Sequence, residues 1–260
     1  MLKYHSLIDK VYNYQNLQKA FNCGKRRKGC SGPDNVSWKE YGENLENNLT
    51  QLAFGLKSGS FKFSLPDALD IIDFQGKMLH LHIWNVEDRI VQRSIKNVLS
   101  PIFEREFHDF SYGYRPKRGY AQAKKKVRKI YSELIHPWVV VADIRKLSAS
   151  INRRRLKRLF CLRIADSKLI RLIEQAIFSL DIPGLPLGCC LSPLMYDVYL
   201  HEIDKILNNK MLIIRYGDNI MTFSKSQSNA LNNLREINVA TNCVELELNK
   251  EKQKFYSILH

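Results

Sequence analysis

Met211-Leu-Ile-Ile-Arg-Tyr-Gly-Asp-Asn-Ile-Met-Thr-Phe223 sets two apolar, β-prone runs on either side of Gly217, Asp218 and Asn219. Gly, Asp and Asn tolerate the positive φ of tight turns, so the stretch reads as a β-hairpin with Asp218 at its tip. Alone, such a hairpin is an ordinary structural turn. It acquires chemistry when a second acidic strand end faces it. Trp138-Val-Val-Val-Ala-Asp143-Ile144 supplies one, a run of apolar β-formers ending on a carboxylate that the strand positions rigidly at the sheet edge.

Helices and strands interleave around these two acids. Leu7, Val11, Tyr14, Leu17 and Phe21 stand at helical spacing, and Trp38–Leu56 reads as a second amphipathic helix. Between them Gly24–Pro33 is a basic, glycine-punctuated loop, and its cations Lys25, Arg26, Arg27 and Lys28 suit phosphate contact or plain solvation equally. Phe61–Ile83 reads as strands, with Phe61, Phe63 and Leu65 alternating and a turn at Asp73–Gly76; Val86–Phe103 is helical again. Phe107–Gly119 is a loop of aromatics and cations before a helix carrying Lys124, Lys125, Lys126, Arg128 and Lys129. Beyond Asp143 come helices at Arg153–Arg158 and Lys168–Leu180, a glycine–proline loop at Gly184–Gly188, and a helix from about Leu191. After the hairpin, Gln227–Asn242 is helical, Val244–Lys252 alternates like a strand into a turn, and Phe255–Leu259 is a last short strand.

Composition narrows the function classes. The 260 residues include 41 basic and 26 acidic side chains, a net charge of +15. That excess suits a polyanionic partner, nucleic acid before an anionic membrane surface; its bland counterpart is charge that only aids solubility. The six cysteines form no C-x₂-C pair and no disulfide framework, which argues against zinc and for reduced thiols in a cytoplasmic protein. No apolar run reaches the roughly 18 residues of a membrane span, and the N-terminus lacks a signal-peptide core.

Two carboxylates on separate strand ends of a strongly basic protein point to divalent cations for phosphoryl transfer. Mg²⁺ prefers a few carboxylates plus substrate phosphates, and two such ions about 4 Å apart stabilise the attacking and leaving oxygens together. The most specific stretch runs from Asp88-Arg-Ile-Val-Gln92 through Leu99-Ser-Pro-Ile-Phe103 to Ser111-Tyr-Gly-Tyr-Arg-Pro116. With Asp143-Ile-Arg-Lys, Gly184-Leu-Pro-Leu-Gly188, Leu191-Ser-Pro-Leu194, Tyr199–Asp204, Arg215-Tyr-Gly-Asp-Asn219 and Leu248–Lys252, it resembles the bacterial reverse transcriptases, especially those of group II introns. The likeness covers about Ser6 to Ser257.

The resemblance implies an α+β right-hand polymerase of fingers and palm, with an RRM-like antiparallel palm sheet packed on helices and the thumb absent. It divides the chain into an N-terminal extension with fingers (1–136), the first catalytic palm strand (137–152), a helical fingers/palm insertion (153–182) and the palm with the catalytic hairpin (183–260). Asp143 and Asp218 would hold two Mg²⁺ ions, or Mn²⁺, with the Ile144 carbonyl as a further ligand. Asn219 would stand at the hairpin's second acid position, and Lys252, before Lys250, would give a proton to departing pyrophosphate. The nucleotide would meet Lys77, Ile144, Arg145, Ser148, Leu187 and Gly188. Nucleic acid would meet Lys25, Arg26, Arg27 and Lys28, then Arg115, Lys117 and Arg118, then Arg153, Arg154 and Arg155. Tyr112 and Tyr114 would stack on a base or ribose, or pack in the core. The implied substrates are an RNA template, a DNA or RNA primer and nucleoside triphosphates, in phage defence or a mobile element. A structured RNA, a partner protein or self-association would replace the thumb, and no membrane is implied.

Four departures from the family pattern stand out. Asn219 replaces an acid, although its amide oxygen still suits a hard cation. Leu147 and Ser148 stand where two aromatics are usual; the small Ser148 implies relaxed discrimination against ribonucleotides. Leu79 aligns with the cation that grips the triphosphate, for which Lys77 is the nearby substitute on the same strand face. Leu187 replaces a glutamine. Together these give the alternative expectation, a catalytically impaired polymerase-fold RNA-binding scaffold beside an active partner.

Overall fold

The computed structural model describes residues 3–27, 29–72, 76, 78–133 and 135–257. In chain order the helices and strands are α1 (Ile8–Val11), α2 (Tyr14–Arg26), α3 (Trp38–Glu43), α4 (Leu45–Ser58), β1 (Asp67–Ile72), β2 (Met78–Ile83), α5 (Val86–Phe103), β3 (Ser111–Tyr112), α6 (Tyr120–Ser132), β4 (Trp138–Asp143), α7 (Leu147–Ser150), α8 (Arg153–Cys161), α9 (Ser167–Phe178), α10 (Ser192–Leu207), β5 (Leu212–Tyr216), β6 (Asn219–Ser224), α11 (Gln227–Cys243) and β7 (Lys254–Ser257). They form two compact units, residues 3–103 with 153–192, and residues 104–152 with 193–257. Residues 104–133, read above with the fingers, thus belong to the second unit.

In the first unit α2 packs against α5 and α4, burying Leu17, Ala20 and Phe21. The helix expected over Leu7–Phe21 breaks at Asn13, whose side chain caps α2 by accepting from the Gln15 N–H. The single helix expected over Trp38–Leu56 is likewise two. Ser37 and Glu40 close a reciprocal capping box at the start of α3, and Asn44 lies outside helical geometry between α3 and α4. Asp166 fastens the N-terminal segment to α9. Its Oδ1 accepts from the amides of Lys168 and Leu169, and its Oδ2 from those of Leu7 and Ile8 at 2.7 and 2.8 Å.

Phe61–Pro66, expected as strand, is irregular; the Phe61 and Phe63 rings meet edge to face at 5.1 Å instead of pairing across a ladder. The strands are β1 and β2, antiparallel from Asp67↔Ile83 to Ile72↔Met78. The turn expected between them lies outside the described residues except for Gly76.

The second unit is built on a five-stranded sheet in the order β3-β5-β6-β4-β7, parallel between β3 and β5 and antiparallel elsewhere. Period-2 alternation gives it two faces. Val139, Ile214 and Phe223 pack under α6 with Tyr112, Ala123 and Ile130. By register, Asp143, Asn219 and Tyr216 lie on that same face. Arg215 and Ile220, opposite each other in the ladder, point the other way. Val244–Leu248 shows the expected alternation in burial but makes only an isolated bridge, Ile144↔Leu248, and no strand; residues 250–252 form a 3-10 turn.

Candidate active site

The hairpin and β4 bring the two acids together. Tyr216 pairs with Asn219, so the connection is the two residues Gly217-Asp218, with Gly217 at φ +59° in the first position. A Cβ there would also lie 3.3 Å from the Tyr114 ring. The backbone angle favours glycine there, and the ring adds a tight contact. Asn219, expected in the turn, is instead the first residue of β6 and stands directly across from Asp143. The Ile144 N–H donates to the Asp218 carbonyl at 3.0 Å, tying the turn to the end of β4.

Asp143 is 6% exposed, and Lys252 Nζ lies 3.4 Å from its Oδ2. The 3-10 turn that delivers Lys252 starts at Asn249, whose N–H donates to the Asp143 carbonyl at 2.7 Å. Burial, and then the neighbouring Asp143 carboxylate, push the Asp218 carboxyl above its ordinary value, against the pull of Lys252 and of the Asn219 amide, which donates to Asp218 Oδ1 at 3.1 Å. Two repelling carboxylates with an amide oxygen beside them are a hard-oxygen donor set, which suits a divalent cation of the Mg²⁺ type. Among the described residues no cluster of three or more His, Cys, Asp or Glu side chains supplies a metal cage.

The other expected residues are distributed unevenly. Ile144 is buried beside the acids, and Arg145 is exposed, donating its N–H to the Glu247 carbonyl at 2.8 Å and ion-pairing with Glu247 at 3.6 Å. Ser148 is half-buried on α7. Leu187 and Gly188 belong to the first unit, where the Leu187 carbonyl accepts from the His82 N–H at 2.9 Å. Lys28 and Lys77 lie outside the described residues. Lys25 and Arg26 prove to be the last turn of α2, with Arg27 at its C-cap, and all three are exposed. Lys117 and Arg154 are exposed, and Arg155 is half-buried. Arg118 is half-buried, held by Asp109. Tyr112 packs in the core, whereas Tyr114 is exposed.

Two arginines depart from the expectation of phosphate contact. Buried Arg115 makes a bidentate bond to Glu104 and donates to the carbonyls of His108 and Ser111, both at 2.7 Å. Arg153 donates to the carbonyls of Gly184, Leu180, Phe178 and Ile182. Both guanidiniums knit loops by satisfying backbone acceptors.

Sequence reasoning gave no role to Arg215. It is fully buried on the far side of the sheet from Asp143, bidentate to Asp204 at 2.8 and 2.7 Å and 2.6 Å from Ser111 Oγ. Its Nη1 donates both to Asp197 Oδ1 at 3.3 Å and to the Gly217 carbonyl at 3.1 Å. Arg215 therefore holds the residue before Asp218 from below. Burial alone would depress the guanidinium, but Asp204 and Asp197 carry its pKa upward. Burial, reinforced by Asp204, pushes the Asp197 carboxyl to about 7 despite Arg215.

A sheet with a carboxylate ending one strand and another in the adjoining hairpin turn resembles a polymerase palm, and the fold is that of polymerase fingers and palm. Residues 75–258 match the family described as reverse transcriptase (RNA-dependent DNA polymerase). The chain belongs to the reverse transcriptase family, and within it is group II intron-like. It is 29% identical over 193 residues to Protein YkfC of Escherichia coli, covering 70% of this chain and 51% of that protein. It is 32% identical over 145 residues to the group II intron-encoded protein LtrA of Lactococcus lactis, covering 52% of this chain and 24% of LtrA. The chain thus spans about half of one relative and a quarter of the other. The fold is similar to that of apo telomerase from Candida tropicalis, with a TM-score of 0.56 at 10% identity, over 85% of this chain and 56% of that one.

Proposed function

We propose that the chain is the nucleotidyl-transfer core of an RNA-directed DNA polymerase, extending a primer on an RNA template. The observation that carries this reading is the convergence of Asp143, Asp218 and Lys252 at one end of the sheet of a reverse transcriptase-family protein. Asp143 and Asp218 would hold two Mg²⁺ ions, or Mn²⁺, with the Ile144 carbonyl and the Asn219 amide oxygen as neutral ligands. Such ions supply charge for the attacking and leaving oxygens of the transfer. Arg215 and the Ile144 amide fix the turn, so the Asp218 carboxylate needs little reorganisation. Lys252, held against Asp143, donates a proton to the departing pyrophosphate. Ser148 in place of an aromatic leaves room for a ribose 2′-hydroxyl, which relaxes sugar discrimination. By analogy with group II intron-encoded relatives, a mobile element or a phage-defence system is the setting.

Primer extension on an RNA template with Mg²⁺ tests this, using matched deoxyribo- and ribonucleotides. Asp143→Ala is expected to lower incorporation by about 10²–10³-fold or more while leaving RNA binding intact. Strong deoxynucleotide preference would remove the Ser148 assignment. Asn219 favours one second reading, because it leaves the site a charge short: an RNA-binding scaffold beside an active partner. That reading expects a wild-type chain silent in the same assay and unchanged by Asp143→Ala.

A further inference from the structure

α6 carries Lys124, Lys125, Lys126, Arg128 and Lys129 and no acid, and all five side chains are exposed. Lys124–Arg128 and Lys125–Lys129 are like-charge pairs at i, i+4, each costing the helix about 0.2–0.5 kcal/mol. No ion pair relieves any of the five among the described residues. Ala123, Val127, Ile130 and Tyr131 dock the helix on the sheet, on the face that also bears Asp143 and Tyr216. Its first residue, Tyr120, is 66% exposed and meets the half-exposed Tyr216 ring edge-on at 6.2 Å. Lys124 Nζ lies 5.8 Å over the Tyr120 ring. Two exposed aromatics thus begin at the residue before the Gly217-Asp218 turn and lead into Lys124 and Arg128, which follow Tyr120 along one flank at i+4 and i+8.

We propose that this flank of α6, entered through Tyr216 and Tyr120, is a nucleic-acid-binding track that grips the phosphodiester backbone leading away from the reacting primer end. The direction assigned to the strand rests on the polymerase reading; the binding itself does not. Thirteen helical residues span about 20 Å, long enough to meet several phosphates of one strand. The rings offer a stacking platform where the strand leaves the turn. Uncompensated like charge on a helix is relieved by a polyanion, and the chain's basic excess is here concentrated beside the acids that would otherwise repel one.

The test compares the full-length protein with Lys124→Gln/Lys125→Gln/Arg128→Gln, measuring binding to an RNA–DNA hybrid of about twelve base pairs across a salt series. A charge-matched control, Lys10→Gln/Lys39→Gln/Lys57→Gln, removes three exposed cations elsewhere. The track variant is expected to weaken binding about tenfold and to lower the salt slope by roughly 2–3, with the control near wild type. Equal behaviour of the two variants, or an unchanged slope, overturns the proposal. So does a track variant that loses binding only to phosphatidylserine–phosphatidylcholine vesicles. Asp143→Asn runs in parallel. Wild type that binds the hybrid through α6 but incorporates nothing would sink the polymerase reading and leave the track standing; wild type that incorporates with α6 indifferent does the reverse.

Discussion

Arg215 shows how one residue can govern a site it never enters. Its guanidinium donates to Asp204, to one oxygen of Asp197, to Ser111 and to the Gly217 carbonyl. Removing one partner of a buried charge network strands the others, at about 3–5 kcal/mol. Arg215→Met is expected to lower stability by that amount in denaturant titration. Combining it with Asp204→Leu should recover only part of the loss, since buried Asp197 is still left without its guanidinium. If that double variant refolds fully yet keeps wild-type incorporation, the Gly217 anchor has no positioning role. Asp143 and Asp218 were legible from sequence because each ends an apolar run. Arg215 was not, because a cation in a β-strand looks like any solvent-facing residue until the sheet's two faces are known.

At the scale of elements, the sheet strands, the long helices and the hairpin follow from periodicity almost as read. What the periodicity missed has local causes. Val244–Leu248 alternates in burial without a ladder, since alternation reports which side chains are inside and not where the backbone bonds go. Arg115, in a loop, and Arg153, opening α8, suited phosphate contact because a cation's place in the sequence gives no hint of the carbonyls it will meet. Gly188, expected from sequence as a nucleotide contact, has a packing duty in the structure. It sits at φ +98°, and a Cβ would come within 2.1 Å of the His82 carbonyl of β2. Gly188→Ala is therefore expected to destabilise the protein by at least about 1–3 kcal/mol, read as a lower denaturant midpoint. A neutral outcome would mean that the loop does not press on β2.

At the scale of the whole molecule, buried acids set how stability responds to pH. Asp88 on α5 is 2% exposed; its Oδ1 accepts from the Ser64 N–H at 3.3 Å, and its Oδ2 has no partner among the described residues. Burial pushes its carboxyl to about 7, the Ser64 bond pulling the other way. A folded-state value above the unfolded one means the native chain binds more protons between them. Stability from this group is thus full below about pH 4 and is lost as pH rises through 7. Asp88→Asn is expected to flatten the fall in melting temperature between pH 5 and about 8. A slope equal to wild type would assign that fall elsewhere.

The single-residue alternation along β5 has one more consequence. Arg215 faces inward and Tyr216 outward because they are neighbours in a strand locked to β6 from Leu212↔Phe223 to Tyr216↔Asn219. A one-residue slip of that register would exchange them, turning a guanidinium toward the acids and an aromatic ring toward Asp204. A slip of that kind moves every side chain of the strand at once, so the pairing of β5 with β6 constrains the strand as a whole.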